Sequence, residues 1–325
     1  MAGNRLTQTN VSNTSTTVTT STYDALNRLL TSTKAGVGTT YTYDLNGNQA
    51  TQVAGTIMHT FTWDVHNRLL NVMQGANSLV ATYDYRTRRE TTAVNGAGAR
   101  FFRYDQSVSF HELLGGALQV EFLRGPDMGG GIGFILYSDR TMVGGLVETF
   151  AYNPAIGSTV ALTNSTGATV DSDRYDAFGN IVGAAVGTSL NNRQANTKER
   201  NTIGALVIDN HGFRYYNLVT GRYICRDPIG YADGLNNYLY VKNNPVNHID
   251  PLGLINPFAA LAAGLGIGEV IAPLVAPAVY SLLAVTGIVA AGAVIDEVPA
   301  GGIAFPEWWV QSKPPVNTHQ STVPT

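Results

Sequence analysis

The sequence predicts a mostly β fold of stacked hairpins, followed by an apolar carboxy-terminal tail expected to be helical. Three observations carry this prediction. Aromatic-Asp pairs recur at Tyr23-Asp24, Tyr43-Asp44, Trp63-Asp64, Tyr83-Asp84 and Tyr104-Asp105, in steps of 20, 20, 20 and 21 residues. Such a period marks a repeat whose units cannot bury their own apolar faces and must stack on neighbours. Only 13% of the residues are charged, while Gly, Thr, Asn and Tyr abound, which favours strands and turns over solvent-facing helices. Finally, the 26 residues from Val270 to Ile295 contain no charge, enough to span a bilayer as a helix.

Residues 1–110 hold the clear repeats. In TYDALNRLLTST, YTYDLNGNQATQV and FTWDVHNRLLNVM, a Thr- and aromatic-rich strand leads to an Asp/Asn turn and a short returning strand. Asn46-Gly47 is expected to form a type I′ turn, with Leu26-Asn27 and His66-Asn67 at the equivalent positions. One acid every twenty residues cannot gather the six or more oxygens that calcium needs, so each repeat Asp reads as a turn cap. Arg28 and Arg68 read as paired with repeat backbone or with surface acids rather than with a ligand.

Between 111 and 212 the repeat degenerates, with a last clear unit at DSDRYDAFGNIVG. The run Gly129-Gly130-Gly131-Ile132-Gly133 lacks a following Lys-Ser/Thr and the spacing of a nucleotide cradle, so no nucleotide site is expected.

Residues 213–254 carry the most informative stretch: Arg214-Tyr215-Tyr216, Gly221-Arg222-Tyr223, a first Asp227-Pro228-Ile229-Gly230, Asn243-Asn244-Pro245, and a closing Asp250-Pro251-Leu252-Gly253-Leu254. Together these resemble the core of the Rhs (rearrangement hot spot) and YD-repeat family, and the units upstream are similar to YD repeats. Residues 188–208 depart from the family pattern, which leaves the strands there unassigned. The resemblance implies that the hairpins wind into a spiral, hollow shell closed by this core. It also implies self-cleavage like that of related Rhs and Tc-toxin C proteins, where both DPxG aspartates are required in the manner of an aspartyl protease. On this chain the pair is Asp227 and Asp250, and the bond is Leu254–Ile255. That chemistry needs two carboxyls close enough for one to stay protonated while the other activates water. Arg226, adjacent to Asp227, is the expected helper cation, and Arg222 a structural pairing candidate. The competing reading is a purely structural cap: tyrosines at 215, 216, 223, 231, 238 and 240 offer large packing area, and two Pro-Gly turns punctuate it.

Residues 255–325 form a variable tail, where the family changes to an unrelated effector, often a toxin. Its apolar run 270–295 reads as a membrane-inserting segment, a buried helix packed against the shell, or the start of a longer effector. Its few ionisable residues form no enzymatic constellation.

Several functions are excluded or disfavoured. A net charge of −3 gives no footprint for nucleic acid. No cofactor or metal is expected: Cys225 is alone and reads as a buried inert thiol, and His211 and His248 lack ligand partners. Asp233 reads as a turn residue. The amino terminus has no apolar signal segment and begins as the middle of a repeat, so the chain is expected to be part of something longer. The reading that follows is the carboxy-terminal part of a secreted or cell-surface polymorphic toxin, with an immunity protein, secretion machinery and a membrane (through 270–295) as partners. The alternative is a non-catalytic adhesion or carbohydrate-binding protein anchored by that run.

Overall fold

The computed structural model describes residues 3–254, except 12–15, 106, 126–131, 133–134, 156, 184–185 and 188. Seventeen strands, from Thr7–Val11 to Val186–Gly187, pair in chain order, each antiparallel to the next, as one long meander. A second antiparallel sheet has four strands, Glu199–Ile203, Leu206–Asn210, Tyr215–Asn217 and Arg222–Tyr223. It begins upstream of the RYY motif, in the stretch the sequence left unassigned. Among the described residues helix is confined to two 3₁₀ turns, Ala195–Thr197 and Val241–Asn243. The mostly β fold is thus as the sequence predicts. The helical tail and the run 270–295 lie outside the described residues. No helix among the described residues is long and apolar enough to cross a membrane.

The period of the sequence has a local cause. The Asp24 carboxylate accepts from the backbone N–H of Leu26 (3.0 Å) and Arg28 (2.9 Å) and pairs with the Arg28 side chain. Asp64 does the same for His66 and Arg68, and Asp84 for Arg86 and Arg88. The turn-cap reading and the Arg28 and Arg68 pairings therefore hold. The aromatic before each Asp reaches back one unit: Tyr43 Oη donates to Leu29 O (3.1 Å), Trp63 Nε1 to Gln49 O (2.8 Å) and Tyr83 Oη to Leu69 O (2.8 Å).

The turn type at 46–47 differs from the expectation. Only Gly47 has positive φ, 85°, and its N–H bonds Asp44 O, with Asn27 (64°), Asn67 (61°) and Thr87 (64°) equivalent. The Asp cap lengthens the loop by spanning to the residue after the turn, and this requires one left-handed residue rather than two. Type I′ pairs occur at the opposite hairpin ends, where no Asp intervenes: Ala35-Gly36, Asn95-Gly96 and Gly115-Gly116 all have positive φ.

The second sheet packs on the repeat strands through one apolar cluster. Phe61, Leu69, Val72, Leu79 and Ala81 meet Ile203, Leu206, Ile208, Tyr215 and Ile224. Beside it a buried ionic chain joins the two sheets: Arg89 and Arg193 both pair with Glu199, and Arg193 also with Glu112 (2.7 Å). Burial alone would raise the Glu199 carboxyl, but the two guanidiniums bring it below its ordinary value.

Candidate functional site

The two DPxG segments meet at the edge of the second sheet. Asp227 follows the strand Arg222–Tyr223, and its N–H bonds Asn237 O (3.0 Å), while its own carbonyl accepts from Gly230 (3.0 Å) to close the first turn. The carboxylate also accepts from the Ile229 N–H at 3.1 Å. Asp250 caps the second turn: Oδ1 accepts from the N–H groups of Gly253 and Leu254, both at 2.9 Å. Pro after each Asp fixes φ, and Gly230 (67°) and Gly253 (73°) take the left-handed conformation that closes each turn. At Gly253 a Cβ would also crowd the Arg214 backbone nitrogen at 3.1 Å.

One cation joins the pair. Arg214 Nη2 lies 2.8 Å from Asp227 Oδ2 and 3.3 Å from Asp250 Oδ2, so the two carboxylates share a single guanidinium nitrogen. The same side chain donates through Nη1 to Asn237 O (3.2 Å) and through Nε to Gly253 O, and it stacks on the Tyr223 ring at 3.6 Å. Tyr223 Oη donates to Asp250 Oδ2 at 2.7 Å. Arg214 is 3% exposed and Asp250 2% exposed, so these bonds are made out of water, where each charge needs its partners.

Burial pushes Asp227 up to about 7, against the opposing pull of Arg214. Asp227 also lines a cleft of about 490 Å³ between the first DPxG turn and the repeat turns at Leu45-Asn46 and His66-Asn67. Asp250 contacts the same Arg214 nitrogen, and both its oxygens accept bonds. Burial, and after it Lys198, hold the His211 imidazole down at about 3, so it is neutral at ordinary pH. Burial pushes the Cys225 thiol up to about 12, which fits an inert side chain.

Of the residues named from sequence, Asp227 and Asp250 are brought together, and Leu254 is bound to Asp250 through its N–H. Ile255 lies outside the described residues. Arg226 is exposed and sits beside Gly47 and Tyr238, not between the carboxylates. Neighbours on an extended chain point to opposite sides, so adjacency to Asp227 directs Arg226 away from it. The cation in that place is Arg214. Arg222 is structural: its guanidinium donates to Asn27 O (2.6 Å) and Asn4 Oδ1 (3.1 Å). Asp233 pairs with Lys242 at 3.3 Å, and no group of His, Cys, Asp and Glu among the described residues could hold a metal. Lys198 was not singled out by sequence, and Arg214 and Tyr223 were named only as motif and packing residues. Arg214 stood inside the RYY motif, but nothing in the spacing says that it reaches residues 227 and 250.

No family model matches the chain. Toxin subunit YenC1 of Yersinia entomophaga is 34% identical over 116 residues, which are 34% of this chain and 11% of that protein. The probable deoxyribonuclease RhsB of Dickeya dadantii is 47% identical over 60 residues, 18% of this chain and 4% of that one. Among solved structures, a Tc holotoxin pore of Photorhabdus luminescens carrying an aspartate-to-alanine change in TccC3 is similar in fold. Its TM-score is 0.52 at 20% identity, over 74% of this chain and 13% of that one. The chain therefore spans a small part of the length of each.

Proposed function

We propose, for a chain whose sequence is Rhs- and Tc-toxin-like, that residues 3–254 form the closing part of a toxin shell and that Asp227 and Asp250 cut the chain once, after Leu254, to release the tail. The observation that carries this reading is the shared guanidinium: Arg214 draws both carboxylates to one nitrogen while Asp250 holds the Leu254 N–H. In the reaction a water adds to the Leu254 carbonyl carbon and the bond to the Ile255 nitrogen breaks. The water's hydroxyl stays on Leu254 as the new carboxyl, and its remaining proton goes to the Ile255 amine.

Roles follow from the surroundings of each group. Asp227, with a carboxyl near 7 and a face on the cleft, handles the proton of an incoming water. Asp250 orients the segment to be cut. Arg214 keeps the pair together and holds the Gly253 carbonyl next to the site. The similarity to toxin subunits further supports secretion and assembly with other toxin components.

The test is the intact mass of the purified chain beside an Asp227→Asn, Asp250→Asn double variant. The wild type alone is expected to split into pieces of about 27 and 7.5 kDa, the shares of 34.6 kDa held by residues 1–254 and 255–325 of the 325. If both proteins stay whole across a range of pH, the tetrapeptides are closing turns and the reading fails.

A further inference from the structure

The segment that ends at Leu254 is held along its main chain as well as through Asp250. Four successive carbonyls each accept from a different donor. Asp250 O lies 3.1 Å from His211 Nδ1, Pro251 O accepts from Lys198 Nζ at 2.6 Å, Leu252 O from the Phe213 N–H at 3.0 Å, and Gly253 O from Arg214 Nε. A carbonyl cannot donate, so the first contact places the imidazole proton on Nδ1. Two of these donors, Phe213 and Arg214, belong to the approach to the strand Tyr215–Asn217. The other two, Lys198 and His211, are side chains that the local fold has fixed for another reason.

Lys198 lies between the 3₁₀ turn Ala195–Thr197 and the strand Glu199–Ile203. Its N–H bonds Ala195 O at 3.0 Å and its carbonyl accepts from Gln194 at 3.2 Å, so its backbone is pinned on both sides. The turn places left-handed φ at Asn196 (51°), which Asn tolerates, and at Thr197 (55°), which a β-branched residue adopts only when its surroundings compel it. Asn196 is held by the Tyr240 hydroxyl at 2.8 Å, and Thr197 Oγ1 by Gly157 O. Lys198 itself is only 6% exposed, a place where an ammonium is costly to keep unless its contacts compensate. His211 is likewise enclosed, in edge contact with Tyr216, Tyr223 and Tyr240. A strained turn and a buried cation thus converge on one carbonyl, three residues before the carbonyl of the bond assigned to cleavage.

We infer that Lys198 and His211 are positioning residues for the cut: by holding Pro251 O and Asp250 O they fix the register in which the Leu254–Ile255 bond meets the carboxylate pair. This inference rests on the self-cleavage reading. Neither residue touches the reacting atoms. Each acts by limiting where the segment can sit, and displacement of a reacting group by about 1 Å is enough to slow a reaction about 100-fold.

The experiment compares the full-length wild type with Lys198→Met, which keeps the apolar stem of the side chain and removes its donor, and Lys198→Arg, which keeps the cation. Time courses of intact mass are read beside circular dichroism. Lys198→Met is expected to cut about 100-fold more slowly with unchanged circular dichroism, and Lys198→Arg to recover part of the rate. If Lys198→Met does not fold, Lys198→Leu, which also removes the donor, is read in the same way. Hydrogen exchange in an Asp227→Asn background supplies a readout independent of cleavage. There, adding Lys198→Met is expected to speed exchange of the Gly253 and Leu254 amides at least tenfold and to leave the amides of the strand Asn77–Tyr83 unchanged. Cleavage of Lys198→Met at the wild-type rate overturns the positioning role, as does unchanged exchange at Gly253 and Leu254. A wild type that never cuts overturns the self-cleavage reading, and the positioning role falls with it; faster exchange in that case would still show that Lys198 holds the segment.

Discussion

In the repeat sheet Asp24, Asp64 and Asp84 do one job three times, at turns whose carboxylate side chains keep 15–21% of their exposure. In the core Asp227 and Asp250 are each used once, with 5% and 3%. The repeat acids meet partners two to four residues away, whereas the core acids, besides similar turn bonds, share a cation that lies 13 and 36 residues from them. Local, redundant bonds tolerate the loss of any one member. Buried bonds between distant residues do not, because removing one partner leaves the other charged and out of water.

The largest expected effect tests that contrast at its centre. Arg214→Met leaves two buried carboxylates without their common cation, and a loss of about 3–5 kcal/mol in urea unfolding is expected, together with loss of self-cleavage. A pH series sharpens the same point, because Asp227 and Asp64 should respond in opposite directions. Burial raises folded Asp227 to about 7 from 3.8, so the folded state holds a proton that the unfolded chain releases. Its contribution is complete below a pH of about 4 and lost as pH rises toward 7. Measured against Asp227→Asn, wild-type stability should fall over that interval. Asp64 is lowered instead, since its bonds with Arg68 outweigh burial. Its contribution is present above the ordinary carboxyl range and is lost only as pH falls below it.

Smaller effects come from the turns. Gly36 (φ 82°) has open space around it, so Gly36→Ala should cost only the backbone penalty of about 1 kcal/mol. Gly47 (φ 85°) faces the core, where a Cβ would stand 2.6 Å from Tyr238 Oη, so Gly47→Ala should lower the melting temperature distinctly more. Asp64→Ala should cost about 1 kcal/mol, and Asp84→Ala the same within error. Smallest of all is Thr82→Val, which loses one exposed hydroxyl contact with Thr91 and should change stability by less than about 0.5 kcal/mol.

The same contrast explains what could be read from sequence. The aromatic-Asp pairs are legible because their bonds repeat along the chain, so spacing and contact carry the same information. Asp227 and Asp250 could be paired through their matching tetrapeptides. Their cation could not: adjacency favoured Arg226, whose side chain points outward, while Arg214 arrives from the residue just before a strand that only the folded second sheet brings near. Lys198 was hidden for a related reason. It lies in the stretch 188–208, where no pattern was visible, and its partner at Pro251 is 53 residues away. The turn at Asn46-Gly47 was misread because the two-residue rule ignores an Asp that caps across the loop.

The backward reach of the aromatic tips gives the sheet a direction. Tyr43, Trp63 and Tyr83 each fasten their own unit to the carbonyl of the unit before, and none depends on the unit after. Such a chain changes length in whole steps. Gaining or losing a complete unit of twenty residues leaves every remaining tip a carbonyl to grasp, whereas a slip of one residue turns every inward side chain outward. Change by whole units therefore keeps the register of the repeat sheet, but a unit that carries Phe61, Leu69 or Arg89 takes its contacts with the second sheet along with it.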